Sequence, residues 1–470
     1  MALTSFFLDQ HGCAKNQIDG ELILTRLIHK GMKRVDTPEE ADLIIVNSCG
    51  FIESAKRESL EAVIDAKTSY PKAKVLLAGC LSERYAESLA EELPEADGII
   101  GNGDLSAIDA VVDSMTEGCR PVETYDQQGV CCGEREELLS FPGSAYVKIT
   151  EGCDNRCTFC AIPLIRGNMR SRPAQDIIDE VKALVARGIV EINLVGQDSA
   201  AFGMDGAHPH KKEIWSQFDG SGPELSPLAK LLQGISQLEG KFWLRLLYIH
   251  PDHFPLDILP VMAKDPRLLP YFDIPFQSGC DSIIKAMNRT GTGVEYTELV
   301  RKIRSGLQST SLGEPALRTT FLVGFPGETD QNAADTLDFI RGIEPDWAGS
   351  FTYSKEEDTP AATMKNQVPK KVAEKRNKAL QQLQEEITAK RLAQRTGRTY
   401  DVLIEEVIEG GDGEGNGLAI GRCWFQAPEV DGAVVVSYDL EEQAHLVASG
   451  KMVSVLVTGS SGVDLTGAIV

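Results

Sequence analysis

The sequence predicts an α/β protein in three parts: an N-terminal doubly wound α/β domain, a central partial TIM-like (β/α)6 barrel and a small C-terminal antiparallel β-barrel. Short continuous apolar runs, typical of strands buried on both faces, and helix-period segments between them predict the first two parts. After Gly397 the pattern changes to short strands, which predicts the third part. With 470 residues, 42% of them apolar, the chain is long enough for several such domains.

The N-terminal domain is predicted to span residues 1–120. Its strands are expected at 6–8, 43–46 and 75–78, with helices at 18–30 and 51–67. A cysteine follows each strand, namely Cys13, Cys49 and Cys80. Because parallel strands place their carboxyl ends at one edge of the sheet, we expect these cysteines to converge in a metal site, most simply an iron-sulfur cube. The alternative is that each is an ordinary buried cysteine.

Residues 121–144 mix polar, charged and glycine residues and are predicted to be a linker. The linker contains the adjacent cysteines Cys131 and Cys132. A metal-binding or redox-active pair is one interpretation, and incidental thiols on a surface loop are the simpler one.

The central domain is predicted to span residues 145–369. Its six strands are expected at 146–149, 191–195, 242–247, 272–276, 317–323 and 350–353. Crossovers between parallel strands predict an open barrel whose site faces the carboxyl ends of the strands. Gln197 and Gly324 follow the second and fifth strands, and this position makes them candidate cofactor contacts, although such glycines also serve as turns.

The first central strand leads directly into Cys153, Cys157 and Cys160, spaced by three residues and then two. This spacing can bring three thiolates to one face of an iron-sulfur cube, leaving the fourth iron open to a substrate or cofactor. The alternative is a zinc ribbon or three buried thiols. A structural zinc requires a fourth ligand, and no Cys or His occurs among the next forty residues.

A connecting helix is predicted at 370–396, followed by the C-terminal barrel at 397–470 with strands at 400–407, 417–422, 433–437 and 452–457. Residues 401–470 contain twelve Asp or Glu and only two Lys or Arg, which gives a formal net charge of −10. We therefore do not expect RNA binding to be the main role of this part. The whole chain has a formal net charge of −23, which favours a basic protein partner over nucleic acid. The alternative is that this acidity only maintains solubility.

No apolar run is long enough to span a membrane, and the N-terminus lacks the basic and apolar regions of a secretion signal. We therefore expect a cytoplasmic protein without a membrane partner. Eleven cysteines in that reducing compartment are better interpreted as ligands than as disulfides.

The central cysteine motif, with Phe159 just before its third cysteine, resembles that of the radical S-adenosylmethionine (SAM) superfamily. The resemblance implies that Cys153, Cys157 and Cys160 hold a 4Fe-4S cluster and that its open iron binds the amino and carboxylate groups of SAM. It also implies a reducing electron donor and cleavage of SAM to a 5'-deoxyadenosyl radical, which removes hydrogen from carbon. No catalytic residue beyond the cluster ligands is predicted.

The three parts together resemble the methylthiotransferases, which have an N-terminal three-cysteine domain, a radical SAM domain and a C-terminal TRAM barrel. The resemblance implies a second 4Fe-4S cluster on Cys13, Cys49 and Cys80 that holds or delivers sulfur. Residues 12–19, 270–277 and 427–432 resemble the RimO-type branch, which modifies the β-carbon of an aspartate in small-subunit ribosomal protein twelve, although residues 278–280 and Asp358 depart from its pattern. The alternatives are a MiaB-type tRNA adenosine methylthiotransferase and a non-catalytic iron-sulfur carrier.

Overall fold

The N-terminal domain is a parallel six-stranded sheet in a computed structural model that describes residues 3–127, 129–207, 209–308, 310–408 and 416–470. The strand order β2-β1-β3-β4-β5-β6 reverses direction between β1 and β3, a position at which open α/β sheets bind ligands. The strands are β1 (Ser5–Gln10), β2 (Lys33–Arg34), β3 (Leu43–Ser48), β4 (Lys74–Gly79), β5 (Gly98–Ile100) and β6 (Val122–Glu123). The helices are α1 (Ala14–His29), α2 (Glu53–Ser69), α3 (Cys80–Glu92) and α4 (Ile108–Thr116).

Strand β6 lies inside the segment that was predicted to be a linker. Val122 pairs with Ile99 of β5, so the start of that segment completes the sheet. Two residues are too few to produce a periodic pattern, which is why the sequence does not indicate this strand.

The central domain is a second parallel sheet of six strands, in the order β14-β13-β12-β11-β10-β7. In the described part of the chain the end strands β7 and β14 do not pair, so the barrel is open, as predicted. Its strands are β7 (Ser144–Lys148), β10 (Glu191–Val195), β11 (Trp243–Leu246), β12 (Leu268–Asp273), β13 (Ala316–Val323) and β14 (Trp347–Thr352), and β8 (Thr150–Glu151) and β9 (Arg170–Ser171) form a separate antiparallel pair. The helices are α5 (Ile162–Ile165), α6 (Ala174–Ala186), α7 (Lys212–Ser216), α8 (Pro227–Ser236), α9 (Ile258–Met262), α10 (Asp281–Ala286), α11 (Gly293–Gly306) and α12 (Asp330–Ile343).

The fourth central strand begins and ends earlier than the predicted range of 272–276. Its pairing with β11 shifts register between Leu268 and Phe272, and Pro270 lies within that shift. Proline cannot donate to a β-ladder, so pairing around it is irregular. The apolar run continues beyond the strand to the fully buried Phe276, so the range predicted from the sequence lay too far along the chain.

Helix α13 (Lys370–Ala393) was predicted as a connector and also packs on the central domain. Leu380 and Ile387 lie in the same hydrophobic core as the central strands, and Arg391 pairs with Asp346 at 3.2 Å. The connector therefore covers one side of the open barrel. No helix among the described residues is long and apolar enough to cross a membrane.

The C-terminal domain is a closed five-stranded barrel in the order β15-β16-β17-β19-β18. Four of the pairings are antiparallel, and β17 pairs with β19 in parallel. Strand β19 was not expected from the sequence, because it contains Gly467 and Ala468, two residues with low β-propensity. The strands are β15 (Thr399–Ile408), β16 (Asn416–Cys423), β17 (Val434–Asp439), β18 (Met452–Ser461) and β19 (Asp464–Ile469).

A buried ion cluster attaches the C-terminal barrel to the central sheet. Glu191 of β10 is fully buried and accepts hydrogen bonds from Arg245 of β11 (3.0 Å) and Arg422 of β16 (2.7 Å). Nearby, Arg245 and the indole of Trp347 donate to the backbone carbonyls of Trp424 and Phe425, each at 2.7 Å. Charge pairing and backbone hydrogen bonds thus fix the orientation of the barrel on the sheet.

Candidate active site

The N-terminal triad (Cys13, Cys49 and Cys80) lies at the carboxyl ends of β1, β3 and β4, which are neighbours in the sheet. Gly12 has φ 90°, and a β-carbon placed on it would stand 3.2 Å from the β-carbon of Cys49. Burial raises the pKa of Cys80 to about 12, and the negative charges of Cys13 and Cys49 add to this effect. The structure therefore brings the three predicted cysteines close enough to influence one another.

Polar groups from two domains surround this triad. Arg166 of the central domain donates to Cys80 Sγ at 3.1 Å, and Asn102 Nδ2 donates to the same sulfur at 3.4 Å. Desolvation opposes ionisation of Cys13, but the charges of Lys15 and Arg166 outweigh it and lower the pKa of that thiol. Donors and positive charges around thiolates suit the ligands of an anionic iron-sulfur group.

The central triad (Cys153, Cys157 and Cys160) occupies the loop between β8 and α5. Asn155 donates to Cys153 Sγ at 3.3 Å and to Asp198 Oδ2 at 2.8 Å, which ties the loop to the end of β10. Burial raises the pKa of Cys157, and the charge and hydrogen bond of Arg289 act against it. Phe159 packs in a small hydrophobic cluster, so its role in the structure is to hold the loop.

Among the described residues, no three His, Cys, Asp or Glu side chains are arranged so that they could hold a metal ion.

Buried polar atoms without partners lie at the strand ends beside the central triad. Thr150 Oγ1, Gln197 Oε1 and His250 Nε2 have no hydrogen-bond partner in the described part of the protein. Burial lowers the pKa of His250 to about 3, so its imidazole is neutral at pH 7. Because buried polar atoms are normally paired, these three fit a polar ligand such as SAM.

Gly324 was predicted as a second cofactor contact, and the structure places it in a packing position. Its φ is 76°, and a β-carbon there would stand 2.4 Å from Ala373 of α13. Its N–H donates to Glu328 at 3.1 Å. The glycine therefore permits the close approach of α13, and its backbone donor is already used.

A network of buried ion pairs links the N-terminal and central domains, which carry the two triads. Lys148 of β7 pairs with Asp19 of α1 at 2.7 Å and with Glu151 at 2.5 Å. Arg166 pairs with the same two carboxylates, at 2.8 and 2.5 Å. All four side chains are buried. The sequence does not indicate this network, because isolated charges near apolar runs resemble solvent-exposed residues.

Lys15 and Tyr248 lie between the triads and were also missed. The ammonium of Lys15 is 3.4 Å from the centre of the Tyr248 ring and donates to the carbonyl oxygen of Gly196 at 3.3 Å. Burial raises the pKa of Cys160 to about 12, and the positive charges of Arg289 and Lys15 act against it. The charge of Lys15 thus reaches both triads. Its position two residues after Cys13 is the only sequence signal that could have identified it.

A loop of the C-terminal barrel, residues 427–431, lies against the same region of the central domain. Asp431 accepts hydrogen bonds from the hydroxyl of Tyr271 (2.6 Å), the N–H of Ala427 (2.8 Å) and the guanidinium of Arg318 (3.2 Å). Glu429 has φ 69° and an exposed side chain. Burial raises the pKa of Tyr248, and negative charges including that of Glu429 add to the effect. All three domains therefore contribute side chains to the region beside the triads.

Three family models match successive parts of the chain. The uncharacterized protein family UPF0004 matches residues 5–101, the Radical SAM superfamily matches 147–340 and the TRAM domain matches 396–470. The three models match the chain in the same order as the three parts predicted from the sequence.

Relatives similar along their whole length include the "ribosomal protein uS12 methylthiotransferase RimO" of Treponema denticola. It is 51% identical over 474 residues, covering 97% of this chain and 99% of the relative. The protein of the same name from Desulfosudis oleivorans is 39% identical over 97% of this chain and 98% of its own length.

The fold is similar to that of a solved radical S-adenosylmethionine methyltransferase, TsrM from Kitasatospora setae. The TM-score is 0.52 at 14% sequence identity, over 77% of this chain and 74% of that one. At this identity the likeness concerns the fold alone.

Proposed function

Because the chain belongs to the family of ribosomal protein uS12 methylthiotransferases called RimO, we propose that it transfers a methylthio group to the β-carbon of an aspartate in that ribosomal protein. The observation that carries the proposal is that the two cysteine triads meet where the domains join, since Cys80 packs against Ala161, the residue after Cys160, and accepts a hydrogen bond from Arg166. Removing hydrogen and supplying sulfur are separate tasks at one carbon, and two such sites could divide them. We also propose a cytoplasmic location and a reducing electron donor.

The central triad is the proposed ligand set of the 4Fe-4S cluster that binds SAM. When bound, this group supplies the reductive cleavage of SAM that produces a radical able to remove hydrogen from carbon. The residues of the chain position the reactants. Asn155 fixes the orientation of Cys153, Arg289 compensates charge beside Cys157, and Gln197 offers an unpaired buried oxygen to SAM.

The N-terminal triad is the proposed ligand set of a second, sulfur-supplying 4Fe-4S cluster. Arg166 and Asn102 donate to Cys80 Sγ, which stabilises negative charge on that ligand. Arg166 is itself held by Asp19 and Glu151, so its position depends on the docking of the two domains. This arrangement supports a sulfur source that faces the SAM site.

The acidic C-terminal barrel supports a basic protein as substrate. Its excess of carboxylates repels a phosphate backbone and attracts the positive surface of a ribosomal protein. We therefore expect binding of the ribosomal protein to weaken as salt concentration rises.

The test incubates the anaerobically reconstituted, reduced protein with SAM, sulfide, the ribosomal protein and tRNA together, followed by mass spectrometry of both substrates. We expect a methylthio group on one aspartate of the ribosomal protein and unmodified tRNA. Methylthio on tRNA alone would overturn the substrate assignment. Absence of 5'-deoxyadenosine would indicate a non-catalytic iron-sulfur carrier instead.

The variant Cys13→Ala tests the division of labour between the triads. It should still release 5'-deoxyadenosine from SAM, because the central triad is intact, while methylthio insertion is abolished. Cys119→Ala removes an exposed cysteine outside both triads and should retain both activities. Methylthio insertion by Cys13→Ala at the wild-type rate would overturn the assignment of the N-terminal triad.

A further inference from the structure

Lys15 is a buried cation without a carboxylate partner. Its exposed fraction is 7%, and no carboxylate oxygen of the described residues lies within 4.0 Å of its nitrogen. Of the other buried cations nearby, Lys148 and Arg166 share two carboxylates and Arg318 pairs with Asp273 at 3.1 Å. Arg289 also has no carboxylate of the described residues within 4.0 Å, but its guanidinium donates to the backbone carbonyls of Pro275 and Phe276 beside the central triad. A buried charge without a carboxylate partner is costly, and burial lowers the pKa of Lys15, while the negative charge of the nearby Cys13 thiolate acts against this effect.

The two groups that contact the ammonium of Lys15, the Gly196 carbonyl and the Tyr248 ring, also fix its orientation. The Gly196 carbonyl accepts one of the three ammonium hydrogens, and the face of the Tyr248 ring covers another side of the nitrogen. A cation on an aromatic face keeps its remaining hydrogens available for an anion. Gly196 directly follows β10 of the central domain, whereas Lys15 lies in the first turn of α1 of the N-terminal domain, so the ammonium lies where the domains meet.

We infer that the ammonium of Lys15 binds the side-chain carboxylate of the aspartate that is to be modified. The inference rests on the proposed function, in which the β-carbon of that aspartate reacts. The β-carbon is bonded directly to the carboxylate carbon, so holding the carboxylate fixes the reacting carbon between the triads. A charge-assisted hydrogen bond in a buried region also distinguishes aspartate from asparagine, which has the same shape without the charge.

The structure allows one competing role for Lys15, which is to neutralise the group held by the N-terminal triad. The two roles differ in what a substitution removes. If Lys15 serves the substrate, Lys15→Met leaves both metal centres intact and removes only the preference for aspartate. If it serves the N-terminal triad, the same change lowers the iron content or alters the spectrum of that centre.

The experiment measures calorimetric binding of the ribosomal protein to the anaerobic enzyme loaded with SAM, using the natural protein and a variant with asparagine at the modified position. We expect the wild-type enzyme to prefer the aspartate form by about ten- to a hundredfold, and Lys15→Met to bind both forms equally. Lys15→Arg keeps the charge and should retain part of the preference. Lys264→Met, at an exposed lysine, is the control and should behave as wild type.

Iron content and the electron paramagnetic resonance spectrum are recorded for each variant. Unchanged spectra with loss of the aspartate preference support the inference. A preference that survives in Lys15→Met overturns it, and so does loss of iron in that variant. If the wild-type enzyme neither binds nor modifies the ribosomal protein, the proposed function itself has failed, and the inference fails with it.

Discussion

Substituting Glu191 by Gln should weaken the attachment of the C-terminal barrel to the central sheet. Glu191 is fully buried and is the shared carboxylate of Arg245 and Arg422, whose side chains are also buried. The neutral glutamine keeps the size of the side chain and removes the charge. Arg245 is then left without a charged partner, while Arg422 retains Glu405. Breaking a buried pair by removing one partner costs about 3–5 kcal/mol of the free energy of unfolding.

The assay is urea unfolding of the metal-free protein followed by tryptophan fluorescence. Trp347 and Trp424 lie at the contact between the barrel and the sheet, so their emission reports separation of the domains. We expect the first transition of Glu191→Gln to move to lower urea concentration. The matched control is Glu298→Gln, which removes an exposed partner of Arg301 and should leave the urea midpoint nearly unchanged. If the midpoint of Glu191→Gln is also nearly unchanged, apolar packing alone holds the barrel and the reasoning is refuted.

Two further predictions concern the cysteine sites. Gly12→Ala should lower the iron content to that of one cluster, because the new β-carbon would stand only 3.2 Å from the β-carbon of Cys49. The control is Gly31→Ala, which has nearly the same φ, 91°, but open space around it, and it should keep the full iron content. Equal iron content in both variants would contradict the steric argument. Burial opposes ionisation of Asp198, but hydrogen bonds from His253 and Asn155 help to lower its pKa from 3.8 to about 2. This carboxylate therefore stabilises the folded protein above pH 4, and the stabilisation is lost as the pH falls through 2. The difference in free energy of unfolding between the wild type and Asp198→Asn, measured on metal-free protein, should shrink by about 2 kcal/mol between pH 5 and pH 2, and a constant difference would contradict the assigned pKa.

Much of the fold was predictable because it depends on local rules. Continuous apolar runs located β1, β3 and β4 of the N-terminal sheet and the strands of the central sheet, and the rule that parallel strands end at one edge brought together cysteines as distant as Cys13 and Cys80. Short elements with weak local signals were missed, namely β2, β5 and β6, and β12 was shifted by Pro270. These differences leave the site unaffected.

The groups between the triads could not be predicted in the same way. Lys15, Tyr248 and Glu429 belong to three different domains, and only the docking of those domains brings them together. No spacing in the sequence records a contact that depends on how two folded surfaces fit. Gly324 shows the converse, because a strand-end glycine that suggested a nucleotide contact is explained by the packing of α13.

The anchoring of the 427–431 loop also has a consequence for how such enzymes could acquire new substrates. Asp431 ties this loop to side chains of β12 and β13, so the barrel contributes to the region beside the triads. Recombination that replaced the barrel with one from another enzyme would therefore remove that contribution together with the proposed docking surface. A change of substrate by exchange of whole domains would require matching changes at Tyr271 and Arg318, so the barrel and the central sheet are expected to evolve as one unit.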